Sequence, residues 1–476
     1  MNPVTKAHEE LLNIENELNL FNKEFQGVPY WEYTRHSLKE EVVESVSSSS
    51  TNKESFDDNQ IRHILERVTQ AGGIIKNTFN GNPYLAPEVR AIFYGKRRRE
   101  QLENGEWKDI FLDPIAENID VSSVFFEPHD TMPEYHGDTV SENIFYLTIP
   151  RNIGAILRRI GYDVNLDEKN IAVLTALEEQ IKKRLGVSVD AVGYVEEILS
   201  RRKSTLFLYD KIIQRVSPQV CFLTSGYDKH AIFLESCRRN NVLTVGVQYT
   251  ALTPQKWGYH YPGERKKKIK PDYYFIWGEF WRNNIDLPLP VDRIRVVGNP
   301  WYNKKREQTV HTSSNDILLF ISNDKSNELS KIANAVSKMN IDLQIMYKLH
   351  PNELQDWKNT YPELLTAANN NRLTVVTEDY DLYELFAMAA AQVGISSTAL
   401  YEGLGFGLPT FLYDGEYINE MSRLIEFGYA DVFSNSSDLV SMVPQNSDDR
   451  EVDQTPFFAS NYKENIQREF ENIGVY

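Results

Sequence analysis

His350 and Pro351 end an apolar stretch, DLQIMYKL, within the motif KLHPNE. Further along, Ser396, Ser397 and Thr398 follow the apolar QVGI, and Glu402 stands seven residues before Pro409 in YEGLGFGLP. These residue types suit a phosphorylated ligand. A strand-end histidine can reach a pyrophosphate or base, and the proline after it fixes the direction of the turn. A helix opening on Ser396, Ser397 and Thr398 offers hydroxyls and unpaired backbone N–H groups to a phosphate. A carboxylate at Glu402 can accept hydrogen bonds from both hydroxyls of a ribose. Taken singly, the serines and threonine could be a plain helix cap and Glu402 a solvated helix residue. Together they fall on successive strand ends, the edge of an open α/β sheet where ligands bind.

The surrounding elements must supply that edge. Residues from about Asp316 read as alternating strands and helices: DILLFISN, NELSKIANAVSKM, DLQIMYKL, RLTVVTE, DLYELFAMAA, QVGI, ALYEGLGF and TFLYD. An earlier series starts near Val89 with short apolar runs of the buried-strand kind: RAIFYG, KDIFLDP, SSVFFEP, IFYLTIP, QVCFLTS, TVGVQYT, DYYFIWG and IRVVGNP. A long helical region, about Asp167 to Val216, interrupts it. The stretch from Pro218 to Gln248 reads as one right-handed βαβ unit.

Ahead of both series, a helix is expected from about Lys6 to Phe25, and a second through GVPYWEYTRHSLKEEVVESV with Trp31 as a packing residue. A mobile loop over Ser45 to Asp58 and a helix from near Asn59 follow. The expected division is therefore a helical region with a loop over 1–88, an α/β domain over 89–300 and a second α/β domain over 301–476. The polar stretch Val296 to Asp316 is the junction, and a last helix, about Asn461 to Ile473, packs back across it.

Composition narrows the class. A chain of 476 residues is too long for one ordinary core. Its net charge of -17 argues against a nucleic-acid binder. Cys221 and Cys237 are the only cysteines, too few for a disulfide framework or a structural zinc site. No apolar run approaches about 18 residues and the N-terminus is polar, so the expected setting is cytoplasmic, soluble or attached to the inner face of a membrane.

The second half, about Asp316 to Val443, resembles the nucleotide-binding domain of GT-B glycosyltransferases. The helix with Glu402 before Gly-Leu-Pro is similar to the ribose-binding segment of the peptidoglycan GlcNAc transferase. KLHP and SST resemble the His-Pro and Ser-rich motifs of bacterial sialyltransferases, polysialyltransferases and CDP-glycerol glycerophosphotransferases, in which the pair holds the nucleotide phosphate. The order VLTVGVQYTALTPQKWGYHYPG, KPDYYFIWGEFW, IRVVGNPWYN is similar to that of capsule and surface-polysaccharide transferases, which often carry a histidine where this chain has Tyr249 after Gln248. The resemblance implies two Rossmann-like domains facing across a cleft, with extra N-terminal helices. It further implies transfer of a sugar from a CMP-, CDP-, UDP- or GDP-linked donor to a surface polysaccharide or lipid-linked glycan, with no cofactor. A polyol-phosphate transferase of the CDP-glycerol type, a UDP-sugar 2-epimerase and a non-catalytic nucleotide- or glycan-binding module are the alternatives.

An inverting transfer needs a base for the acceptor hydroxyl. Asp228, in the loop SGYDK at a strand end, is the first candidate, with a helix cap as its other reading; His260 is the second. Asp272 and Glu279 read as cap or turn residues. No paired-aspartate motif stands out, and the resemblance implies metal-independent stabilisation of the leaving phosphate. Three basic runs, 96–99, 201–203 and 265–270, are either solvated faces or a surface for an anionic membrane or acceptor.

Overall fold

A computed structural model describes residues 3–50, 81–95, 98–127, 139–141, 143–224, 230–309, 316–323, 327–377, 380–443 and 456–475. In the first half, the strands are β1 (Ala91–Tyr94), β2 (Arg99–Gln101), β3 (Trp107–Asp109), β4 (Ser123–Glu127), β5 (Ile144–Tyr146), β6 (Val220–Leu223), β7 (Leu243–Val247), β8 (Tyr273–Ile276) and β9 (Ile294–Val296). Its helices include α1 (Pro3–Glu17), α2 (Trp31–Ser50), α3 (Thr148–Leu157), α4 (Glu168–Leu185), α5 (Ala191–Val216) and α6 (Ala231–Arg239), and α7 (Pro300–Gln308) leads out of it. In the second half lie β10 (Ile317–Ile321), β11 (Gln344–Lys348), β12 (Thr374–Val376), β13 (Ala389–Gly394), β14 (Thr410–Tyr413) and β15 (Asp431–Phe433), with helices α8 (Leu382–Met388), α9 (Thr398–Gly405) and α10 (Tyr462–Asn472).

Two separate parallel sheets result. The first has the order β5-β4-β1-β6-β7-β8-β9, the second β12-β11-β10-β13-β14-β15. Counted within its own half, each is doubly wound, with the strand order reversing beside its first strand. That reversal opens a crevice between the carboxyl ends of β10 and β13, where Asn323 and Ser396 sit, and a second between β1 and β6. Strands buried on both faces explain the unbroken apolar runs: all five residues of β10 and all four of β1 and β6 are buried. Each such Leu, Ile or Phe contributes roughly 1.5–3 kcal/mol through burial.

The expected strand KDIFLDP leaves the sheet. Its first residues form β3, paired antiparallel with β2, and Asp113 opens a short helix, Asp113–Ala116. Asp109 Oδ1 accepts the N–H groups of Phe111 and Leu112, and Asp113 Oδ2 accepts that of Asp109. These side chains occupy backbone donors that a strand ladder would need. The long helical region is two helices: Gly186, at φ +74°, ends α4 and the Asp190 side chain caps α5. Ser45 to Ser50, expected in a loop, continue α2. The remainder of that loop and the helix expected from Asn59 lie outside the described residues.

The halves share an apolar core. Leu252, Trp277 and Trp281 from the first pack with Leu319, Tyr401 and Leu404 from the second. A returning segment fastens the seam: Trp281 Nε1 donates to Phe457 O at 2.8 Å, and Phe458 stacks on Tyr302 with ring centroids 3.9 Å apart. Beyond it, Ile466 and Phe470 of α10 pack with Phe93 and Phe222 of the first sheet.

Candidate nucleotide site

The ends of β10 and β11 are tied together by one carboxylate. Glu353 Oε1 accepts the Ser322 hydroxyl at 2.8 Å and the Tyr361 hydroxyl, while Oε2 accepts the backbone N–H of His350 at 2.6 Å. Glu353 is buried, and these three donors compensate its charge. His350 caps the turn Pro351–Glu353, its Nδ1 accepting the N–H of Asn352 at 3.3 Å. A neutral imidazole that accepts at Nδ1 carries its proton on Nε2. The half-buried His350 therefore carries its N–H on Nε2. Pro351 stands at the first position of the turn, where a missing N–H costs nothing.

The N-terminus of α9 is the second wall. Ser397 is its cap and accepts the N–H of Ala399 at 3.3 Å. Thr398 Oγ1 accepts the N–H of Ala251 at 3.3 Å, from the loop after β7 in the first half. Ser396 is buried; its hydroxyl donates to Glu420 Oε2 at 2.9 Å, and Asn323 Nδ2 approaches it at 3.5 Å. The glycines of YEGLGFG let α9 lie close to the sheet. A Cβ on Gly403 would sit 2.1 Å from the Gln392 amide oxygen, and Gly407, at φ +83°, turns the chain out of the helix.

Glu402 lies one turn beyond Thr398, half-buried beside Arg98, Glu100, Tyr383 and Asp381. Burial pushes its carboxyl up to about 7; Glu100 and Asp381 add to the rise, while Arg98 and a hydrogen bond from Tyr383 oppose it. Arg98 and Glu100 come from the β2–β3 hairpin, so the first half covers this face of α9.

On the opposite side, the loop after β7 is held from within. Gln248 is fully buried; its Oε1 accepts the N–H of Trp277 at 2.9 Å and its carbonyl accepts Trp277 Nε1 at 3.1 Å. Tyr249 packs edge-on against Phe111 and Tyr259. His260 Nδ1 accepts the N–H of Asp286 at 3.2 Å, again placing the proton on Nε2. Burial pushes this imidazole down to about 4, against the pull of Asp286. The His260 carbonyl accepts Arg35 Nη1 at 2.9 Å, and that of Trp257 does so at 2.5 Å. Arg35 is buried, paired with Glu15 at 2.6 Å, with its guanidinium 4.5 Å from the Trp257 ring centroid. The N-terminal helices thus brace this wall of the cleft. Asp272 accepts from both the N–H and hydroxyl of Thr244, and Glu279 opens a short helix. Asp228 lies outside the described residues.

Sequence reasoning singled out His350 but passed over Glu353, which organises it; a glutamate three residues after a capping residue is the signal that could have found it. Glu420 and Arg35 carried no local signal, because their partners are remote in the chain. The basic runs are engaged largely within the fold. Arg99 pairs with Glu127, Arg202 with Glu235, Arg265 with Glu15 and Lys268 with Glu24. Lys267 is buried against Tyr261, and Lys270 donates to Pro288 O. Among the described residues, no group of three His, Cys, Asp or Glu is placed to hold a metal ion. Nor is any helix among them long and apolar enough to cross a membrane.

With two doubly wound sheets meeting across a cleft, solved structures supply the comparison. The chain is similar to UDP-GlcNAc 2-epimerase from Methanocaldococcus jannaschii, at 13% identity and a TM-score of 0.50, over 80% of this chain and 99% of that one. The chain has a GT-B fold. A weaker match is to UDP-GlcNAc 2-epimerase from Neisseria meningitidis, at 11% identity and a TM-score of 0.45, over 80% and 99% of the two chains. Another is to the wall teichoic acid polymerase TagF, at 10% identity and a TM-score of 0.38, over 88% and 93%. At such identities the likeness is one of fold. No family model and no curated protein matches the sequence. In this GT-B frame His350, Ser396, Ser397 and Thr398 share the carboxyl edge of the second sheet, facing the loop that carries His260.

Proposed function

We propose that the chain is a glycosyltransferase that moves a sugar from a nucleotide-activated donor to a surface-polysaccharide or lipid-linked glycan acceptor. One observation carries this reading: the α9 N-terminus stands at the switch point and His350 at the carboxyl end of the adjoining strand β11, with Glu402 one turn further along α9. Residues four apart share a helix face and are separated by about 6 Å of rise. A phosphate at Ser397 and Thr398 then leaves a ribose within reach of Glu402. His350 and the helix N-terminus would hold the departing nucleotide phosphate without a metal.

In this reading the acceptor oxygen attacks the anomeric carbon as the sugar–phosphate bond breaks. The bonding electrons leave with the nucleotide, and the acceptor proton passes to a base on the first half. His260 presents a donor nitrogen and loses basicity through burial, so Asp228 is the preferred candidate for the base of an inverting transfer. The likeness of KLHP and SST to sialyltransferase and CDP-glycerol transferase motifs supports a CMP- or CDP-linked donor. The names of the similar solved structures support a second reading, isomerisation of a UDP-sugar in the same cleft.

Thermal shift against CMP, CDP, UDP and GDP tests the site. One of them should raise Tm progressively with ligand excess, and His350→Ala should abolish the rise; no shift with any of the four overturns the proposal. Incubation with UDP-GlcNAc alone, followed by NMR, separates the two activities. A change at C2 without acceptor identifies isomerisation, whereas nucleotide release that depends on acceptor identifies transfer.

A further inference from the structure

Arg151 on α3 and Arg158 at its C-terminal cap flank Gly154 along the face that meets α5. The glycine lets the helices close: a Cβ there would sit 2.3 Å from the Thr205 methyl. Residues three and four apart share a helix face, so Arg151, Gly154 and Arg158 line one side. Arg201, Thr205 and Tyr209, spaced by four on α5, line the other. Between these faces lies a cavity of about 240 Å³, bounded by the three arginines with Thr205, Tyr209 and Ile232. That is several times the roughly 30 Å³ share of one water, room enough for a phosphate group.

The cavity adjoins the place where an open sheet binds ligands. Tyr94, the last residue of β1, is hydrogen-bonded to Arg151, and Ile232 belongs to α6, the helix that follows β6. The first sheet reverses its order between β1 and β6, and the carboxyl ends at such a reversal are the ligand-binding edge.

Cations outnumber anions there. Arg151 donates to the hydroxyls of Tyr94 and Tyr209, and the Tyr94 hydroxyl is in turn hydrogen-bonded to His230 Nδ1 at 2.7 Å. Arg158 Nη1 donates to Ser204 Oγ at 3.2 Å. The groups that hold these two arginines are therefore hydroxyls rather than carboxylates. Glu197, whose charge acts on Arg158, pairs with Arg201. The Arg201 and Glu197 side chains are 31% and 58% exposed, so water screens their attraction. Burial, then the charge of Arg201, pushes the Arg158 guanidinium down against the pull of Glu197. Three guanidinium groups against one carboxylate leave two positive charges, the complement of a phosphate dianion. Guanidinium forks also match phosphate oxygens two at a time.

We propose that this cavity is a second anion site, in which Arg151, Arg158 and Arg201 receive inorganic phosphate or the phosphate group of a small soluble molecule. It belongs to the first half and does not depend on the nucleotide site at His350 and α9.

Isothermal calorimetry of the full chain with inorganic phosphate, pyrophosphate and glucose-1-phosphate tests it. At least one should bind saturably. Preference for glucose-1-phosphate over phosphate identifies a phosphorylated small molecule as the ligand, and equal affinity identifies the free anion. Arg158→Gln with Arg201→Gln should weaken binding about tenfold or more, the scale of one lost hydrogen bond to a charged group. The same anion should raise the Tm of the parent and leave that of the pair unmoved. If the pair melts lower on its own, Arg201→Lys carries the test: it keeps the charge, loses the planar fork and should bind a few-fold more weakly. His350→Ala should bind the anion like the parent. The proposal is overturned if none of the three anions binds, or if the arginine variants bind like the parent. It is also overturned if binding is lost in His350→Ala instead, which would place the anion in the nucleotide site.

Discussion

The Thr398 hydroxyl accepts the backbone N–H of Ala251 at 3.3 Å, so the helix start proposed to hold phosphate is also a seam between the two halves. A ligand at Ser397 and Thr398 would touch both sheets' loops at once. The proposed ligand site and the seam between the halves would then share the Thr398 hydroxyl.

Thr398→Val removes that acceptor and leaves the Ala251 N–H without its partner, at a cost of roughly 1–3 kcal/mol. The expected outcome is a lower denaturation midpoint together with weaker nucleotide binding. Serine at 398 should restore both, because it keeps the oxygen. Isothermal calorimetry with a nucleotide that binds, beside urea melts, reads the two effects separately. Lost stability with unchanged affinity would detach the seam from the ligand site.

Arg35 should behave as a structural brace. Its guanidinium is buried against Glu15, Trp257 and Tyr261 and holds the carbonyls of Trp257 and His260. Removing one member of a buried ion pair strands the other, so Arg35→Ala should cost on the order of 3–5 kcal/mol. Urea denaturation checks this. A loss below about 1 kcal/mol, the scale of an exposed pair, would show that the loop stands without its support.

The proposed ribose role of Glu402 predicts a pH dependence of definite sign for nucleotide binding. Its carboxyl ionises near 7, and only the ionised form accepts from both ribose hydroxyls. Affinity should therefore rise from pH 6 to pH 8 by up to about tenfold, the limit for one coupled proton over that window. Glu402→Gln should bind more weakly at pH 8 and lose this component of the profile. The phosphate's own ionisation remains in both proteins and cancels in the comparison. Identical profiles for the two would remove Glu402 from the ribose role.

Stability should carry two opposed titrations. The folded pKa of Glu402 is raised above its unfolded value, so its ionisation within the fold costs stability as pH climbs from about 4.5 to 7. His260 is depressed to about 4, so its contribution is present above about 6.5 and is lost as pH falls towards 4. Glu402→Gln should thus gain Tm relative to the parent as pH rises, while His260→Asn should flatten the acid limb. Melts from pH 4 to 8 give both differences.

Glu353→Gln offers a test confined to the second sheet. The carboxylate takes donors from Ser322, Tyr361 and the His350 backbone, and an amide supplies only one acceptor oxygen. A destabilisation of roughly 1–3 kcal/mol is expected, along with a weaker nucleotide shift because His350 loses its anchor. Wild-type binding in this variant would show that Pro351 and the cap at Asn352 suffice.

Much of the architecture was legible along the chain because its signals are local. Apolar runs such as DILLFIS and QVCFLTS mark strands buried on both faces, and SST before ALYEGLGF marks a capped helix, whatever lies elsewhere. KDIFLDP misled for an equally local reason: Asp109 and Asp113 spend their oxygens on backbone N–H groups, an outcome that an apolar count does not register. What tertiary structure alone decided are relationships between distant residues. The sequence determined that His350 and Ser397 stand at strand ends and that Thr398 and Glu402 share a face of one helix, since strand and helix periods dictate it. Folding decided that Arg35 props the opposite loop, that most of the basic runs are paired internally, and that Arg151, Arg158 and Arg201 line one cavity. Burial and pairing across long separations depend on how helices and sheets pack, and no window of sequence contains both partners.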